Sequence, residues 1–185
     1  GGHCRRRDAY RHRHKHPCGT PCMSIMSGFI VAFTGHRSYN HEACSALHRS
    51  VERLYAEGAR IFRVGMAEGF DLAAAETVVK LMEQHDDILL EAYIPYLDFA
   101  ARFSTVEYLR YKKILEMCSR VVYVSESYHT AVFRLRNDML VDGAQVVVAW
   151  WNGRASGTGY TIGRGRRNRC RVINLYGGSQ CEIDF

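Results

Sequence analysis

The 185-residue sequence predicts an α/β protein, a Rossmann-like three-layer sandwich with a mostly parallel sheet of about six strands. Two observations carry that expectation. Short apolar runs alternate with helical patterns from residue 28 onward, which is the signature of strands joined by crossover helices on both faces of a sheet. The runs are also continuous rather than alternating, as strands buried on both faces must be.

The elements follow in chain order. "FIVAFTG" (29–35) is the first strand, closed by a glycine. The next helix has Ala43, Leu47, Val51 and Leu54 at helical spacing, Asn40 as its expected N-cap and Gly58 as its stop. "RIFRVG" (60–65) is the second strand, and the alanine-rich 70–85 is a helix. The third strand, 87–96, is expected to close at Pro95. A helix over 104–118 opens on Ser104 with Glu107 at the N3 position of a capping box. "RVVYVS" (120–125) is the fourth strand, 130–144 a helix stopped by Gly143, and "QVVVAWW" (145–151) the fifth strand. "TGYTIGRGRRN" reads as a last helix, and "RVINLY" (171–176) as the sixth strand.

Composition narrows the class. No apolar run approaches the ~20 residues that span a bilayer, so no membrane partner is expected. The N-terminus lacks the basic, apolar, small-residue order of a secretory signal, and the expectation is a cytoplasmic protein with reduced thiols. Residues 1–27 form a basic, Cys/His-rich extension to a single domain over 28–185. Most of the formal charge of +6 lies in that extension, where Arg5, Arg6, Arg7, Arg11, Arg13 and Lys15 face only Asp8. Cys4, Cys18 and Cys22 share it with His3, His12, His14 and His16, a ligand set able to close a tetrahedral zinc site. The Cys-x3-Cys spacing is permitted but has no matched second pair. An upstream stretch of a chain starting at Met23 or Met26 is the other reading. No cofactor or metal is expected in the domain itself. A second basic cluster, Arg164, Arg166, Arg167, Arg169 and Arg171, reads either as a nucleic-acid patch or as a solvated face.

In open α/β sheets ligands bind beyond the carboxyl ends of the strands, so the loops after each strand hold the candidate chemistry. "TGHR" brings Gly35, His36 and Arg37; the guanidinium suits a bidentate grip on phosphate or carboxylate, or a pairing with a local acid. "GMAEGFD" brings Gly65, Glu68, Gly69 and Asp71, with Asp71 as ligand contact or simple helix cap. "RLRNDM" contributes Arg136 and Asn137. "SGTGYTIG" offers Ser156, Gly157 and Thr158 just ahead of a helix, a phosphate cradle of free N–H groups. Tyr93, Tyr96, Trp150 and Trp151 are either base-stacking platforms or core. There is no Gly-Lys-Ser/Thr, which argues against a P-loop, and the late glycines have only one strand left to follow them, which argues against a dinucleotide fingerprint.

"FTGHR", "VGMAEGFDLAAAE", "RNDMLVDGA" and "SGTGYT", in that order and each after a strand, resemble the SLOG superfamily of DprA/Smf proteins and LOG enzymes, in particular its YpsA-like bacterial branch. The resemblance runs from about Phe29 to Leu175. It implies a rim that binds a nucleotide or nucleotide-derived ligand such as an ADP-ribose- or NAD-like molecule, lined by the residues named above. It also implies two alternatives: a LOG-like nucleotide N-glycosidase with Glu68 or Asp71 as catalytic carboxylate, and a DprA-like single-strand DNA binder. LOG enzymes carry acidic residues soon after their Gly-Thr, whereas Gly157-Thr158 is followed here by Gly159, Tyr160 and Thr161. Glycosidic cleavage wants a carboxylate near the anomeric carbon, so binding or sensing is the favoured expectation. Such folds often dimerise, and a homodimer is an expected assembly.

Overall fold

A computed structural model describes residues 28–178 and 181–183. The zinc-ligand set and the basic extension lie outside the described residues.

Strands β1 (Phe29–Gly35), β2 (Ala59–Val64), β3 (Leu89–Tyr96), β4 (Arg120–Ser125), β5 (Val146–Trp150), β6 (Arg171–Asn174) and β7 (Cys181–Ile183) form one sheet in the order β4-β3-β2-β1-β5-β6-β7. The first six run parallel, and β7 adds an antiparallel edge beside β6 that the sequence pattern does not announce. Helices α1 (Cys44–Ala56), α2 (Phe70–Met82), α3 (Thr105–Met117), α4 (Val132–Val141) and α5 (Gly157–Arg167) make the crossovers, with short 3-10 turns at Phe99–Arg102 and Tyr176–Gly178.

The two-residue period of a strand divides its side chains between two cores. Val31 and Phe33 of β1, with Val146 and Val148 of β5, face the helical layer that includes Leu47, Leu54, Leu72 and Val78. Ala32, Val147 and Ala149 point the other way, onto Leu140, Val141 and Ile162. Phe33, Phe62 and Phe70 are fully buried, each such side chain contributing about 1.5–3 kcal/mol through loss of apolar surface to water.

Local chemistry sets most boundaries. The Ser104 hydroxyl caps α3 by accepting from the Glu107 N–H at 3.2 Å. Gly58 (φ 109°) and Gly143 (φ 69°) occupy backbone that side chains resist, just beyond α1 and α4. Asn40 does not cap α1: the helix starts at Cys44, and the Asn40 amide is instead bound by the Glu42 carboxylate at 2.8 Å. β3 continues through Pro95 to Tyr96. Its ladder to β2 ends at Ala92, so the missing proline N–H interrupts no pairing on that side.

β1 passes to β2 on one side, while β5 returns to pair on the other. That reversal of strand order opens a crevice at the carboxyl ends of β1 and β5, where Gly35 lies in register with Trp150.

Candidate functional site

A cleft of about 230 Å³ occupies this switch point, lined from four loops and helix starts that are far apart in the chain. Gly35, His36 and Arg37 come from the end of β1, Asp71 from the first turn of α2, Arg136 and Asn137 from α4, and Ser156, Gly157 and Thr158 from the start of α5.

At the floor of the cleft Asp71 is 4% exposed and Arg136 7%. Asp71 Oδ2 lies 3.7 Å from Arg136 Nη1 and accepts the Ala67 N–H at 3.3 Å, while Oδ1 is sealed from solvent with no side-chain hydrogen-bond partner among the described residues. Burial pushes the Asp71 carboxyl up to about 6, against the pull of Arg136, the Ala67 amide and Arg37. Burial also lowers Arg136, opposed by Asp71 and reinforced by repulsion from Arg37; a guanidinium nevertheless keeps its charge. Arg136 Nη1 donates to the Gly65 carbonyl and its Nε to Asn137 Oδ1 at 2.8 Å. Asn137 Nδ2 in turn reaches the Gly157 carbonyl at 3.4 Å. One chain of polar contacts therefore ties α2, α4 and α5 together.

The rim is built from a helix start. Ser156 caps α5, its Oγ accepting the Gly159 N–H at 3.1 Å and donating to the Arg154 carbonyl at 3.2 Å. The amides of Gly157 and Thr158, in the first turn, have no acceptor within the helix and border the cleft. Thr161 Oγ1 donates back to the Gly157 carbonyl at 2.9 Å, which fixes that turn. Arg37 is exposed at the mouth, its guanidinium carbon 5.9 Å from the Phe99 ring centroid. His36 Nε2 stands 3.1 Å from Asn152 Oδ1 and 3.3 Å from the Asn152 N–H. A protonated Nε2 donates to the first and an unprotonated one accepts from the second, so a single tautomer serves one of these bonds at a time.

Three of the glycines singled out in the sequence leave space for neighbouring protein groups. A Cβ on Gly35 would collide with Phe70, one on Gly65 with the Arg136 guanidinium and Asp71, and one on Gly69 (φ 80°) with the Arg37 carbonyl. Gly65 and Gly69 are absent from the lining of the cleft, and so is the half-buried Glu68. The four aromatics considered as stacking platforms are absent from it too. Tyr93 is buried and hydrogen-bonds to Glu91 at 3.1 Å, Trp150 is 7% exposed, Trp151 donates to the Arg154 carbonyl at 2.7 Å, and Tyr96 packs edge-on against Phe99. The structure adds Thr34, Ala67, Phe133 and Leu140 to the lining. Phe133 and Leu140 stand one turn before and one turn after Arg136 and Asn137, so helical spacing marks them as sharing that face. Thr34 and Ala67 carry no such signal.

The Arg164–Arg171 cluster is not at the cleft. α5 leads away from the rim, Arg164 pairs with Asp138 at 3.2 Å, and Arg171, at the amino end of β6, pairs with Glu57 at 2.5 Å. Among the described residues, no helix is long and apolar enough to cross a membrane.

The fold is shared with DprA from Streptococcus pneumoniae (TM-score 0.59, 15% identity, 80% of this chain and 50% of that one). It is shared also with DprA from Helicobacter pylori, described as a single-stranded DNA binder (TM-score 0.57, 17% identity, 79% and 64%). A UPF0398 protein of Halalkalibacterium halodurans is 27% identical over 125 residues, 60% of this chain and 66% of that protein. The chain thus spans just under two thirds of this relative and half of the pneumococcal DprA. The model of the YspA SLOG family matches residues 31–161, from the middle of β1 into α5 and across every loop that lines the cleft, and the chain belongs to that family.

Proposed function

We propose that the cleft binds the phosphate-bearing part of a nucleotide or nucleotide-derived ligand of the ADP-ribose or NAD class, and that the protein acts as a binder or sensor of it. One observation carries the reading: two guanidiniums, Arg37 and Arg136, and the free amides at the start of α5 converge on a space that, among the described residues, holds a single carboxylate, Asp71. The first turn of α5 contains no acid, and helix amides with fixed cations favour an anion.

The same geometry disfavours N-glycosidic hydrolysis. Asp71 is engaged by Arg136 and Ala67, Glu68 is outside the cleft, and no carboxylate follows Gly157-Thr158. A second reading, single-strand DNA binding, is favoured by the described property of the Helicobacter DprA and by the exposed Arg37. The remote placement of the Arg164–Arg171 cluster weighs against it.

Thermal unfolding with ADP-ribose, NAD, AMP and a short single-stranded DNA tests the proposal on wild type and Arg37→Ala. A ligand at about 100 times its dissociation constant adds about 2.7 kcal/mol of stability. A nucleotide that raises the melting temperature of wild type, with a smaller rise for the variant, supports it. A rise with DNA alone, steeply weakened by salt, replaces it with the second reading.

A further inference from the structure

The wall of the cleft formed by Phe133 belongs to a larger aromatic group. Phe133 packs against Tyr96, Phe99 and Tyr128 with ring centroids 6.3, 6.1 and 6.3 Å apart. Tyr128, in the loop between β4 and α4, is also 5.8 Å from Tyr96 at an interplanar angle of 81°. The members differ sharply in exposure. Phe99 is buried at 5%, but Tyr128 is 60% exposed, and Leu97, which follows Tyr96 in the chain, 55%. Core packing accounts for Phe99. It does not account for a tyrosine ring held at the surface by two other rings, Tyr96 and Phe133, the second of which lines the cleft.

An aromatic ring fixed by edge contacts is a low-entropy surface for a flat, weakly polar partner. The cleft itself contains backbone amides, guanidiniums and a carboxylate, and the aromatic surface begins where those polar groups end, at Phe133. Arg37 lies at the same boundary, over the Phe99 ring. We infer that Tyr128, supported by Tyr96 and Phe133, is the base-stacking subsite of the cleft, taking the planar nucleobase of a ligand whose phosphate lies at the start of α5. The inference rests on the nucleotide reading of the cleft and adds to it the part of the ligand that the polar groups leave unrecognised. Stacking accepts any base, since each presents a π-face. The subsite thus demands a base without selecting among bases.

The experiment is a calorimetric titration of AMP and of ribose 5-phosphate, the same phosphosugar without its base, into wild type, Tyr128→Ala and Tyr128→Trp. Because Tyr128 is largely exposed, circular dichroism should show all three equally folded. The expected result is AMP binding about tenfold or more tighter than ribose 5-phosphate to wild type, as one stacked base contributes. In Tyr128→Ala the AMP affinity should fall to that of ribose 5-phosphate, whose own affinity stays unchanged, and Tyr128→Trp should keep the preference. Equal affinity of the two ligands for wild type, or an AMP preference that survives Tyr128→Ala, overturns the subsite while leaving the phosphate cleft standing. Binding of neither ligand to wild type overturns the nucleotide reading and the subsite with it.

Discussion

Asp71 and Arg136, separated by 65 positions in the chain, meet beneath the cleft with 3.7 Å between Oδ2 and Nη1, their side chains 6% and 9% exposed. The pair is held by what surrounds it. Gly65 leaves the space, its carbonyl and the Ala67 amide supply further bonds, and Asn137 connects the arginine to α5.

Removing one member of such a pair strands the other charge. Arg136→Met should destabilise the protein by about 3–5 kcal/mol, the cost of an uncompensated buried charge. Asp71→Asn/Arg136→Met should recover part of that loss. Urea unfolding of wild type and the two variants measures both effects, and a double variant no more stable than Arg136→Met would contradict the account.

Protonation of Asp71 gives a pH dependence of definite sign. Its carboxyl is raised from 3.8 to about 6 in the fold, so between those values the native state binds more protons than the unfolded one. Stability contributed at this site is full below about pH 4 and lost as pH rises toward 6, by about 3 kcal/mol across the window. Asp71→Asn should remove this component from the pH profile of the urea midpoint.

Gly69 is a backbone requirement. Its φ of 80° and the Arg37 carbonyl facing its absent Cβ leave no place for a side chain. Gly69→Ala should cost about 1–3 kcal/mol and displace the Arg37 loop, weakening ADP-ribose binding in a titration. Unchanged stability and affinity would mean that the two loops do not depend on this contact.

The site is expected to bind without turning over. Wild type incubated with AMP or ADP-ribose should release no free base or nicked product by liquid chromatography, and Glu68→Gln should bind both ligands as wild type does. Turnover abolished in Glu68→Gln with binding intact would identify an N-glycosidase instead.

The remote arginines make a contrasting control. Arg167 and Arg169 are exposed near the end of α5, away from the cleft. Arg167→Ala/Arg169→Ala should leave nucleotide affinity within twofold of wild type, about 0.4 kcal/mol at most. A larger loss would show that the ligand extends along α5.

What the sequence determined by itself was the order of elements and which loops carry chemistry. Apolar runs such as Val31–Phe33 and Val146–Ala149, alternating with helical patterns along the chain, read as strands covered on both faces, and Ser104 marks a helix start through a bond made within one turn. Those are local or periodic constraints, readable along the chain. Only the tertiary structure decided what each residue in the loops faces. Gly65 and Gly69 read equally well as ligand contacts, and it took the positions of Arg136 and Arg37 to show what their missing side chains make room for. Phe133 drew no notice beside the charged residues of its helix, because its significance comes from Tyr96, Phe99 and Tyr128 across the rim. The partner of Asp71 was likewise invisible, since contacts across a sheet's edge depend on strand order, and β1 lies beside β5 only because burial of the whole sheet places it there.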